Sequence, residues 1–80
     1  MTEELKKYNE VFIKIFNVEE SELRDLVYKD SVDWNSMSQI ALVSSIEESF
    51  DIDFDMDDIY NLTSYEKGKQ LLISKFGINL

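Results

Sequence analysis

Leu5, Tyr8, Phe12, Ile15 and Phe16 stand at i, i+3, i+7, i+10 and i+11, a spacing that gathers all five on one side of an α-helix. A stripe of this kind has to be covered by other elements. Glu3 and Glu4 favour the start of that helix and Asn17 can stop it, so a first helix is predicted over residues 3–16. Residues 17–35 mix Val18, Leu23, Leu26, Val27 and Val32 with charged side chains and keep no period. They read as a long loop that packs through those aliphatic residues, with a short helical turn near residues 21–26.

A second helix is predicted from Ser36 to Phe50, with Asn35 as its N-cap. Leu42, Val43, Ile46 and Phe50, flanked by Ile40, form its inward stripe, leaving Gln39, Ser44, Glu47 and Glu48 to water. An acidic loop over residues 51–55 holds Ile52 and Phe54, and Asp55 caps a short third helix over residues 56–61. Thr63-Ser64-Tyr65-Glu66 fits a capping box opening a last helix through Lys75, anchored by Leu72, Ile73 and Phe76. Gly77 is placed to end it in the left-handed conformation, with Lys75 complementing the helix dipole. No proline, repeat or low-complexity linker divides the chain. The expectation is a single domain over residues 1–80, all-α, a small four-helix bundle of three longer helices and one short one.

Composition narrows what such a bundle can do. Without cysteine or histidine the chain has no thiolate metal site, no disulfide and no imidazole base. A self-contained active site is not expected, so the protein reads as a non-enzyme without a metal. The net charge of −9 repels nucleic acid and anionic membranes. Residues 30–66 carry ten acids and no base, whereas the last fourteen residues carry three lysines and no acid. No apolar run approaches a membrane span and no signal-peptide pattern opens the chain, which predicts a cytoplasmic monomer with no membrane insertion.

Ser36 is the one candidate for covalent chemistry. Directly after an N-cap, its hydroxyl falls on the first turn of a helix, beside the positive end of the dipole, where a phosphodiester can be held. Ser38 is its near neighbour but sits inside the turn. Asp51, Asp53 and Asp55 imitate the first ligands of a calcium loop, yet Met56 stands where that loop needs glycine and Leu62 where it needs glutamate. Like charges crowded over residues 47–58 are expected to raise carboxylate pKa values, so that acidification stabilises the domain.

Asn35-Ser36-Met37, followed by Ile40, Leu42, Val43, Ile46, Glu47, Glu48, Phe50 and Asp51, resembles the acyl carrier protein family over nearly the whole chain, the family having Asp-Ser-Leu at the serine. The resemblance implies 4′-phosphopantetheine attached to Ser36 and an acyl or aminoacyl thioester on the arm's thiol. It also implies as partners a Mg²⁺-dependent phosphopantetheinyl transferase, then loading enzymes and downstream transferases with basic docking patches. Asn35, Met37, Glu47 and Glu48 are the implied docking residues, and Ile46 and Phe50 could line a crevice for an acyl chain. Asn35 replaces the family's aspartate, Met37 its leucine, and Ala41 and Ser44 make the front of the helix less acidic than in fatty-acid carriers. With Trp34 before the serine, the chain is similar to stand-alone carriers of specialised pathways. The alternatives are an unmodified acidic helical adaptor for a basic partner and a calcium sensor.

Overall fold

The computed structural model describes residues 2–30 and 33–80. Helix α1 spans Glu3–Phe16. Thr2 Oγ1 accepts from the Leu5 amide at 3.0 Å to open it, and Asn17, left-handed at φ 54°, returns its N–H to the Ile13 carbonyl to close it. The expected loop then contains a 3-10 helix over Glu20–Asp25, opened by Glu19 and Glu22, whose side chains cap each other's backbone amides. Val18, Leu23 and Leu26 pack inward as expected, but Val27 is exposed and Val32 lies outside the described residues.

Helix α2 spans Ser36–Phe50, α3 Met56–Asn61 and α4 Tyr65–Ser74. Asp51 ends α2 in the left-handed conformation. The predicted capping box at α4 does not form: Ser64, not Thr63, is the N-cap, its hydroxyl accepting from the Lys67 amide at 3.0 Å. The reason is tertiary. An isolated antiparallel bridge joins Val27 to Ser64, with Tyr28 N–H on the Thr63 carbonyl at 2.8 Å and Tyr65 N–H on the Leu26 carbonyl at 3.1 Å. That pairing holds Ser64 extended as the N-cap and moves the helix start one residue on. Leu72 is buried and Phe76 half-buried, but Ile73 is exposed and anchors nothing. Gly77 does take a positive φ of 65°, and the Ile78 amide folds back over it to the Leu72 carbonyl.

The architecture is an all-α bundle of three longer helices and one short one, with the 3-10 turn beside it. Its core centres on Phe12, whose ring lies 4.9 Å from Tyr8, 5.3 Å from Tyr65 and 5.7 Å from Trp34. Leu23, Leu42, Ile46, Leu62 and Leu72 close around these rings, each contributing about 2 kcal/mol by burial. Tyr8 donates its hydroxyl to the Tyr65 carbonyl at 2.6 Å, and the Tyr65 hydroxyl bonds Asn9 Oδ1. Burial pushes the Tyr8 phenol well above its ordinary pKa, so it remains a donor. Replacing Tyr8 by phenylalanine should cost about 1 kcal/mol in a urea titration, because it removes a buried hydrogen bond that ties α1 to the Tyr65 carbonyl. A loss below about 0.3 kcal/mol would show that water takes over.

Candidate functional site

The head of α2 is built by two side chains, Asn35 and Ser38. Asn35 Oδ1 accepts from the amides of Met37 at 3.0 Å and Ser38 at 3.2 Å. In return the Ser38 hydroxyl accepts from the Asn35 amide at 2.8 Å and donates to the Asp33 carbonyl at 2.7 Å. Asn35 and Ser38 are thereby committed to backbone. Ser36, between them at the first helical position, is exposed and its hydroxyl has no partner among the described residues.

What surrounds Ser36 is less charged than the middle of the chain as a whole. Residues 36–46 carry no charge, and Met37 and Ile40 are 81% and 70% exposed. The inward place expected for Ile40 is therefore wrong. Gln39, expected in water, is buried instead. The stripe of α2 runs Gln39, Leu42, Val43, Ile46, at i, i+3, i+4 and i+7, and Ile40 lies off it. That spacing was the available signal for Gln39; its polarity concealed it. Behind the site Trp34 is 1% exposed and donates its indole N–H to Gln39 Oε1 at 2.6 Å.

Among the proposed docking residues, Asn35 and Met37 flank Ser36, whereas Glu47 and Glu48 lie three turns along α2. Glu48 is exposed. Glu47 is half-buried rather than facing water, and its Oε2 accepts from the Phe54 amide at 2.7 Å, bracing the loop after α2. Ile46 is sealed in the core and Phe50 half-buried, the latter with Lys7 Nζ 4.9 Å from its ring centre.

The acidic segment is organised by a lysine. Lys75 Nζ lies 2.8 Å from Asp55 Oδ2 and 2.6 Å from Asp58 Oδ2, while Asp55 Oδ1 caps the Asp58 amide at 2.9 Å. Lys75, expected to face the dipole of its own helix, instead ties the end of α4 to the start of α3. No group of three or more potential ligands is arranged for a metal among the described residues.

This clamp also reverses the expected acid response at Asp55. The Lys75 hydrogen bond holds the Asp55 carboxyl below its ordinary pKa, and the two aspartates raise that of Lys75. A lowered carboxylate contributes stability above its unfolded pKa and loses it as pH falls through the folded value. A raised lysine contributes stability below its unfolded pKa and loses it as pH rises through the folded value. The melting temperature should therefore be flat from pH 7 to 5 and decline below about pH 4. The decline attributable to the clamp is small, since its Asp55 and Lys75 members are exposed. A melting temperature that climbs steadily between pH 7 and 5 would show that carboxylate repulsion dominates instead.

No helix of the described residues is long and apolar enough to cross a membrane. Comparison with known protein families, with curated proteins and with solved structures gave no match.

Proposed function

We propose that this chain is a carrier protein of the acyl carrier type, presenting an acyl or aminoacyl thioester on a 4′-phosphopantetheine arm joined to Ser36. The observation that carries the reading is the exposed Ser36 hydroxyl, without a partner among the described residues, at the first position of a capped helix in a small all-α frame. The arm supplies a thiol, the group a chain without cysteine lacks. Ser36 would hold it by a phosphodiester. The α2 N-terminus favours that negative charge, and neutral Asn35 caps the helix without adding a second charge beside it.

Catalysis lies with the partners in this reading. A phosphopantetheinyl transferase modifies Ser36 from coenzyme A, and separate loading enzymes charge the arm. Near the serine they meet Met37 and Ile40, with Asp33 exposed before the cap, and along α2 itself a basic patch would find its first exposed acid at Glu48. The competing reading, an unmodified acidic adaptor, rests on the same Glu48 face and on the charge of −9, and gives Ser36 no task.

Incubation with coenzyme A and a broad-specificity transferase separates the two. The unsubstituted chain should gain the mass of one phosphopantetheinyl group, Ser38→Ala should gain it too, and Ser36→Ala should gain nothing. No gain on the unsubstituted chain, or an undiminished gain on Ser36→Ala, removes the assignment.

A further inference from the structure

Gln39 joins two parts of the molecule that have no other described hydrogen bond between them. Its Oε1 accepts from Trp34 Nε1 at 2.6 Å, and its Nε2 donates to the carbonyls of Ile59 at 3.1 Å and Leu62 at 3.0 Å. The amide orientation follows from the chemistry: an indole can only donate and a carbonyl can only accept. Both donors of this buried side chain are used, and its oxygen holds the indole. One end therefore reaches the residue leading into the α2 cap, and the other reaches the last turn of α3.

Helix α3 needs such a hold. Six residues make too short a helix to stand alone, and Met56 and Tyr60 are exposed rather than packed. Its first turn is held by Lys75, through Asp55 and Asp58, and its last turn by Gln39. Tyr60 belongs to the turn that Gln39 ties down, and Met37 and Ile40 to the α2 turns beside Ser36. All three present apolar surface.

We propose that Gln39 is a positioning residue: its amide locks the last turn of α3 to the Ser36-bearing turn of α2, so that an enzyme acting on Ser36 meets both as one fixed surface. The effect on such an enzyme rests on the carrier reading; the lock itself does not. Cutting the lock leaves the Ser36 hydroxyl and its Asn35 cap in place and frees the end of α3. The consequence is weaker docking with unchanged chemistry, seen as a raised KM at constant kcat.

The test uses the full chain with two replacements. Gln39→Met removes all three bonds at similar volume. Gln39→Glu keeps the acceptor for Trp34 and leaves at most one donor, that of a protonated carboxyl, where two reached α3. Tyr8→Phe serves as the control, since it loses one buried bond on the side of α1 and α4. Amide hydrogen exchange should quicken at residues 59–63 in both Gln39 variants while α1 and α4 stay protected, and Tyr8→Phe should leave residues 59–63 unchanged. For transfer of the arm, KM for the carrier should rise about tenfold in the Gln39 variants, the equivalent of about one net hydrogen bond, with kcat and the control unaffected.

Exchange that quickens uniformly, or a control that raises KM as much, would reduce Gln39 to an ordinary stabilising residue and overturn the proposal. If the unsubstituted chain accepts no arm, the carrier reading fails and the exchange pattern alone decides the lock. Should both variants fail to fold, the Gln39 side-chain amide protons of the unsubstituted chain decide it. Slow exchange in step with the Leu62 amide supports the lock, and exchange at the free-amide rate overturns it.

Discussion

Replacing Trp34 by alanine should destabilise the domain by about 4 kcal/mol, the largest loss expected from any single substitution. The ring is 1% exposed and lies tilted against Phe16 at 5.2 Å, with Phe12 at 5.7 Å and Tyr28 at 6.3 Å meeting it edge-on. Truncation opens a cavity among groups fixed by their own helices, and it leaves Gln39 Oε1 without the indole donor. A domain this small has only about 5–10 kcal/mol to lose, so the variant should be partly unfolded at 37 °C. Trp34→Phe should fall between, keeping aromatic contact and losing the hydrogen bond. Urea titrations followed by far-UV circular dichroism measure all three chains. A loss below about 1 kcal/mol for Trp34→Ala would mean that the core does not depend on this ring.

Gly68→Ala should cost about 3 kcal/mol, opposite in sign to the usual rule. Within an exposed helix the change gains up to about 1 kcal/mol, because alanine loses less backbone freedom. Gly68 is buried in α4, and a Cβ there would collide with Tyr8 Oη and stand 2.8 Å from Leu62 Cδ1. The hydroxyl it meets is held on the Tyr65 carbonyl, so the ring cannot give way without breaking that bond. A double-mutant cycle isolates the cause: with Tyr8→Phe in the background the cost of Gly68→Ala should shrink, since the obstructing oxygen is gone. Equal costs in both backgrounds would place the conflict at Leu62, and a gain in stability would contradict the close approach altogether.

The parts of this fold that are legible in the sequence are those fixed by neighbours along the chain. Asn35 before the stripe of α2, Asp55 before α3 and Asn17 after α1 are local devices, and the predicted bounds of α1, α2 and α3 coincide with the observed ones. Trp34 also takes the buried place that its size favours. What escapes the sequence depends on distant partners. The choice between Thr63 and Ser64 as cap is made by a bridge to residue 27. Gln39 enters the core because Trp34 and two carbonyls of residues 59 and 62 await it. Lys75 finds its aspartates seventeen and twenty residues away, and Gly68 owes its identity to a tyrosine sixty residues earlier in the chain.

For the site, position and chemistry divide in the same way. The exposure of Ser36 follows from its place after a cap and off the apolar stripe, which is local and therefore readable. The modification proposed for it would be made by a partner enzyme, whose preferences are written in another chain. The neutral front of α2 is legible in the residue order, but the outward turn of Ile40 is not, because it depends on Gln39 taking the inward place through partners distant in the chain.

The measurement that bears most directly on the central claim is the mass of the protein isolated from the cells that make it, with the peptide containing Ser36 fragmented to locate any added group. The expected result is a single phosphopantetheinyl group on Ser36, alone or with an acyl or aminoacyl cargo on its thiol. An unmodified Ser36 peptide throughout, or the group found on Ser38 instead, would contradict it.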